Sequence, residues 1–229
     1  RQSYPMKANS RRVSSTQSGV HQNLASTVRR HLSHGYRKPP TPGSLAAFAQ
    51  LQSALRDHGG PIVLDSYCGT GQSTKILAQR YPEHLVVGID KSSHRLNRHS
   101  SPTKDNTPPP SNYLLLQAVC EDIWQLMLRR DIHPDKHYLL YPNPWPKPGH
   151  LQRRIHGNGS FPWLIQLGGT IELRSNWKLY LEEFDAAMQI AGRCGEIQAL
   201  GQQPALTLFE QKYRDSGHPL WAYLSHQQQ

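Results

Sequence analysis

The stretch PIVLDSYCGTGQSTKILAQRYPEHLVVGID, residues 61–90, decides the fold. Ile62, Val63 and Leu64 make a short apolar run that ends in an acid, Asp65. A turn bearing two glycines follows, Cys68-Gly69-Thr70-Gly71. Residues 73–81 then suit a helix, and residues 85–89 a second apolar strand closed by Asp90. Short apolar runs of this kind fit parallel strands covered on both faces. The order strand, turn, helix, strand predicts a doubly wound α/β sheet.

The same unit carries chemistry. Gly69 and Gly71 let the backbone approach a ligand closely, and the helix after them offers free amides at its start. Asp90, 19 residues after Gly71, ends the second strand where a carboxylate can accept from ribose hydroxyls. A nucleotide-type cofactor follows. The dinucleotide fingerprint asks for a third glycine, and that position holds Thr74. Asp65 before the loop would repel a pyrophosphate but could receive the ammonium of an amino-acid cofactor. Both features favour S-adenosylmethionine.

Composition bounds the rest. With 229 residues, one domain with an ample core is expected. Only 36% of residues are apolar and the mean hydropathy is −0.67, so unpacked segments are expected. Twenty-six Lys plus Arg against 16 Asp plus Glu give a net charge of +10. That excess points to a polyanion, nucleic acid before an anionic membrane surface. No apolar run is long enough for a membrane-spanning helix, so no membrane partner is expected. Cys68, Cys120 and Cys194 lie singly without C-x-x-C spacing. This suits a reducing cytoplasm and argues against a disulfide framework or a bound metal. Monomer and homodimer both stay open.

Residues 1–20, rich in Arg, Ser and Gln, read as a disordered basic segment ahead of one domain over 21–226. Over 21–34, Leu24, Val28 and Leu32 recur every fourth residue, opposite Arg29, Arg30 and His31, which predicts a helix with a basic outer face. A second helix carries Leu45, Phe48, Ala49, Leu51 and Leu55 and stops at Gly59-Gly60. Residues 100–111, SSPTKDNTPPPS, read as a flexible insertion. Strands are expected at 113–116, 137–141 and 170–174, and helices at 121–130 and 178–193. The strand-like runs 205–209 and 220–224 would close the sheet as an antiparallel edge hairpin. The result is a doubly wound, mostly parallel seven-stranded α/β sheet.

A second constellation is YPNPWPKPGHLQRR, residues 141–154. Its prolines exclude helix and central strand, leaving a stiff loop at the carboxyl end of the fourth strand. In an open parallel sheet that edge carries the ligand crevice, together with Asp65 and Asp90. The loop would hold Asn143, Trp145 and Lys147 beside the crevice, with Arg153 and Arg154 close enough to bind a phosphate backbone.

Three motifs together resemble the tRNA (guanine-N7)-methyltransferase family, of the class I S-adenosylmethionine-dependent methyltransferase fold. They are VLDSYCGTG with GID at the second strand, YPNPWPK with its Arg-Arg pair, and LGGTIELRSNWKLY followed by TLFEQKY at 207–213. The resemblance spans about residues 61–224. It implies that Asp65, Cys68, Gly69, Gly71 and Asp90 bind S-adenosylmethionine, with Glu121 and Asp122 beside its adenine. It also implies that Asn143, Asn176, Thr207 and Glu210 surround the target guanine, with Asn143, Asn176 and Glu210 the catalytic group. Trp145, Lys147, Arg153 and Arg154 would touch tRNA or another RNA.

The chain departs from the family at several points. Tyr67 stands where the loop usually has its first glycine, and Cys120 replaces an acid near the adenine. Asparagines occupy 143 and 176, where the family has acids. Three activities fit: methyl transfer to tRNA guanine, methyl transfer to another acceptor on the same fold, and RNA binding without catalysis.

Overall fold

The computed structural model describes residues 10–98 and 108–227. Every residue of Ile62–Ser66 (β1) and Leu85–Asp90 (β2) is buried. The two strands pair in parallel, Ile62 opposite Leu85 and Ser66 opposite Ile89. Tyr113–Gln117 (β3), Lys136–Leu140 (β4) and Thr170–Ser175 (β5) extend the parallel set. Gly195–Ala199 (β6) forms the far edge, and Trp221–Ser225 (β7) lies between it and β5, antiparallel to both. The strand order of this seven-stranded sheet is β3-β2-β1-β4-β5-β7-β6.

Helices Leu24–Ser33 (α1), Pro42–His58 (α2), Gln72–Arg80 (α3), Ser93–Asn97 (α4), Cys120–Arg129 (α5), Phe161–Leu167 (α6), Lys178–Ile190 (α7) and Leu208–Asp215 (α8) cover the sheet. Strand alternation sends Ile62 and Leu64 into a large core with Phe48, Trp124 and Phe184, while Val63 joins a smaller one with Leu77, Val86 and Tyr138. This doubly covered, mostly parallel sheet is the expected class.

Three local expectations fail. Residues 205–209 are not a strand: Thr207 caps α8, its Oγ1 accepting from the Glu210 N–H at 2.9 Å. T-x-x-E is a helix-start signal, and it outweighs the apolar run before it. The sixth strand is β6 instead, where Gly195 admits the Tyr223 ring; a Cβ there would meet Tyr223 Cζ at 2.4 Å. On α1, Leu24 and Val28 are buried but Leu32 is exposed. His31, expected on the basic outer face, turns its Nε2 to Gly157 O at 3.1 Å. The greater part of the expected insertion 100–111 lies outside the described residues.

The third failure is the N-terminal segment. Residues 10–20, expected to be disordered, are held by side-chain hydrogen bonds, while 1–9 lie outside the described residues. Ser15 Oγ donates to Pro146 O at 2.6 Å, and Gln17 Nε2 to Glu183 Oε2 at 2.5 Å. Gln17 Oε1 accepts from both terminal nitrogens of Arg154 at 3.1 Å. The reason is electrostatic. Arg154 and Glu183 are both 0% exposed and pair at 2.7 Å, and buried charges must have every hydrogen bond met. Arg154 also donates to Trp145 O and Lys147 O, at 3.1 and 3.3 Å. Burial alone would raise the Glu183 carboxyl, but bonds from His156, the His21 N–H and Arg154 hold it down at about 2.

Adjacent arginines should therefore behave differently. Arg154→Met strands the Glu183 charge and is expected to cost about 3–5 kcal/mol in urea unfolding. Exposed Arg153→Ala should stay within about 0.5 kcal/mol of wild type. Equal effects of the two would contradict the assignment of Arg154 to the structure.

Candidate active site

The chain leaves β1 through α3 to β2 on one side, and reaches β4 on the other side of β1. That reversal opens a crevice at the carboxyl ends of β1 and β4. The loop after β1 and the 141–154 loop leave these two adjacent strand ends.

The first half is built around two acids. The backbone turns left-handed at Tyr67 (φ 59°), Gly69 (φ 60°) and Gly71 (φ 81°), the last starting α3. Glycine meets the φ requirement at the latter two positions; Tyr67 carries it as a strained residue. Gly69 N–H donates to Asp90 Oδ2 at 3.0 Å, and Ser92 N–H to Asp90 Oδ1 at 2.8 Å. These bonds fix the carboxylate at the end of β2 and leave lone pairs for a ligand's hydroxyls.

Asp65 is 1% exposed and its Oδ2 accepts from Ser73 Oγ at 2.6 Å and Thr74 Oγ1 at 2.8 Å. Its Oδ1 is buried with no partner. Burial raises its pKa to about 6, against the downward pull of the Ser73 and Thr74 hydrogen bonds. An orphaned carboxylate oxygen at this point fits the ammonium of S-adenosylmethionine, with Asp90 for the ribose. It also explains the missing third glycine. Thr74 is needed to hold Asp65, and its side chain fits only because Gly88 faces it, where a Cβ would come 2.3 Å from Thr74 Oγ1.

The adenine side divides. Glu121 Oε1 accepts from the Tyr67 hydroxyl at 2.9 Å, so the ring replacing the usual glycine is tied to an expected cofactor residue. Cys120 Sγ accepts from Tyr67 N–H at 3.2 Å and donates to Ile89 O at 3.4 Å. Burial pushes this thiol well up, as it does that of Cys68, so both stay protonated. Asp122 departs from the expected place. It is fully buried, and its Oδ2 accepts from the Thr41 N–H at 3.0 Å, anchoring the start of α2. Neighbours on a helix point about 100° apart, and here Glu121 faces Tyr67 while Asp122 faces Thr41.

The second half comes from the loops after β4 and β5. Asn143 is exposed, its Oδ1 taking a 3.3 Å bond from Trp145 N–H. Asn176 turns its Nδ2 toward His218 Nδ1 at 3.3 Å. Lys147 and Arg153 are exposed, and the Arg153 guanidinium lies 5.0 Å from the Trp145 ring centroid. Arg154 is withdrawn into the protein and is not available to RNA. Glu210 is likewise 0% exposed. Its Oε1 accepts from Tyr141 OH at 2.5 Å and Arg174 at 2.8 Å, and its Oε2 from Leu206 N–H at 2.6 Å. Opposite charge on β5 draws it inward, so it holds Tyr141 at the root of the loop. Glu210, expected beside the guanine, thus has both carboxylate oxygens engaged by Tyr141, Arg174 and Leu206. Arg174, Tyr141, Gln17 and Glu183 were missed by sequence reading; only Arg174 and Glu183 carry a signal, a charge inside an apolar run.

Ser66 and His137, 2.7 Å apart, look like a nucleophile and base. Both are fully buried under the Trp124 indole, whose N–H donates to Ser66 Oγ at 3.0 Å. Burial lowers His137 to about 3, so the pair is a neutral core contact.

Residues 59–223 match a family described as "Putative methyltransferase". The chain belongs to this methyltransferase family. It is 26% identical over 170 residues to the tRNA (guanine-N(7)-)-methyltransferase of Nitrosococcus oceani, covering 69% of this chain and 68% of that one. To the enzyme of the same name from Sodalis glossinidius it is 27% identical over 183 residues, covering 74% and 73%. Among solved structures, an antibiotic-related methyltransferase superposes with TM-score 0.57 at 15% identity, over 79% of this chain and 94% of that one. The 16S rRNA methyltransferase KamB superposes with TM-score 0.54 at 19% identity, over 83% and 96%. These two share the fold.

Asp65 must be ionised to hold an ammonium, so cofactor affinity should rise with pH through about 6. Calorimetric titration with S-adenosylmethionine should give binding about tenfold weaker at pH 5 than at pH 7. Asp65→Asn should bind weakly and without that pH dependence. A flat wild-type profile would contradict this role.

Proposed function

We propose that this methyltransferase uses S-adenosylmethionine to methylate RNA, at guanine N7 of tRNA. One observation carries the reading: the clamped Asp65–Gly69–Asp90 turn and the YPNPWPK loop leave the carboxyl ends of the adjacent strands β1 and β4, in a chain whose relatives bear that activity in their names. Asp65, Gly69, Gly71, Asp90 and Glu121 hold the cofactor, which supplies an electrophilic methyl on its sulfonium.

Guanine N7 has a free lone pair, so no general base is needed. What the protein must provide is alignment, worth up to about 7–11 kcal/mol of barrier in well-oriented reactions. The stiff 141–148 loop provides it, held through Arg154 to α7 and through Tyr141 to Glu210. Positive charge develops on the purine as the methyl arrives. The amide oxygens of Asn143 and Asn176 stabilise it as dipoles where carboxylates would do so as charges. A charged hydrogen-bond partner is worth about 1.5–3 kcal/mol, so two neutral ones slow the reaction without abolishing it. Lys147, Arg153 and Trp145 meet the RNA backbone, and Thr207 ends the pocket at the start of α8. A cytoplasmic location belongs to the same reading, supported by three unlinked cysteines and an RNA substrate. Among the described residues no helix is long and apolar enough to cross a membrane.

The neutral pair at 143 and 176 also favours a second reading, a different acceptor on the same scaffold. Single-turnover transfer to transcribed tRNA separates the two. Under the guanine reading, Asn143→Asp and the double variant with Asn176→Asp transfer faster than wild type. No transfer by any of the three, with cofactor demonstrably bound, would overturn the tRNA reading in favour of the other acceptor.

A further inference from the structure

The first turn of α8 exposes two adjacent large apolar side chains, Leu208 at 60% and Phe209 at 47%. Phe209 is the outer ring of an ordered column. It stacks on Tyr213, one helical turn away, at 6.2 Å and 25° between planes. Tyr213 in turn stacks on His218 at 5.4 Å and 9°. The inner end reaches the acceptor side of the crevice twice. His218 meets the Asn176 amide, and Tyr213 lies 5.7 Å from Tyr141, at the root of the proline loop. A half-exposed phenylalanine beginning a stack that ends at the pocket is an expensive arrangement for a solvated helix face.

We propose that Phe209 continues this column onto the RNA, stacking on an unpaired nucleobase beside the nucleotide being modified. The inference rests on the RNA-methyltransferase reading and extends it to how the substrate is gripped. Every base has a π-face, so such a platform accepts looped or single-stranded RNA without reading its sequence. Charge selects this occupant over a second copy of the chain. The exposed face of α8 carries Lys212 and Arg214 beside Asp215, and the chain's net charge is +10. Two chains of that charge repel each other, while a polyanion is drawn to them. Glu210, buried in the same turn, holds the start of α8 against β5 and gives the platform a rigid base.

The test is tRNA binding by wild type, Phe209→Ala, Phe209→Leu and Phe209→Trp across a salt series, with sedimentation velocity on each. Stacking is not counterion release. Ala and Leu should weaken binding about tenfold or more at every salt concentration with the slope unchanged, and Trp should retain it. Arg153→Ala should instead flatten the slope. Unchanged affinity in Phe209→Ala, when wild type binds, would overturn the platform and leave the proposed function standing. So would Leu serving as well as Phe, or a dimer lost in Phe209→Ala without loss of RNA affinity. No binding of tRNA by wild type at low salt would overturn both.

Discussion

The buried pair of Arg154 and Glu183 is the interaction on which the acceptor side of this protein depends. Two charges taken out of water are tolerable only when every donor and acceptor is met. Meeting them draws in four parts of the chain: Gln17 from the N-terminal segment, Trp145 O and Lys147 O from the loop, His156 from the connection, and Glu183 itself from α7. The pair thus converts a proline-stiffened loop into one with a fixed position. Arg153, next in sequence, makes none of these bonds and remains on the surface over Trp145. One position along the chain separates a buried, paired arginine from an exposed one.

The cofactor side solves a related problem in reverse. Asp65 is buried and clamped through one oxygen, with the other left unmatched, and its pKa rises to about 6. An unmatched buried acceptor is a cost in the free protein that a bound cation relieves. Thr74 and Gly88 are both explained by this clamp: the threonine supplies a hydroxyl, and the glycine makes room for it.

Much of this was legible from residues 61–90 alone. Apolar runs without alternation point to covered parallel strands, and the strand–acid–glycine order to the clamped turn between β1 and α3. What failed shares one cause. Glu210 and Arg154 are charged residues in polar stretches, and their natural reading is solvent or substrate exposure. Only the fold reveals that β5 brings Arg174 to Glu210 and that α7 brings Glu183 to Arg154. Asp122, which the resemblance sets beside the adenine with Glu121, instead turns to Thr41 because a helix points neighbours apart. The edge strand GEIQA was missed because a half-exposed edge with one β-branched residue gives little period-two signal. Residues 10–20 were read as disordered because the partners that order them lie more than a hundred residues away.

The central claim is that this crevice carries a methyl group from a sulfonium to guanine N7 in RNA. It is tested most directly by incubating the protein with total RNA and S-adenosylmethionine labelled in the methyl group, digesting the RNA to nucleosides and weighing the products. The account predicts label in 7-methylguanosine derived from the tRNA fraction. Label in a different nucleoside, or none in RNA while the cofactor binds, would contradict it.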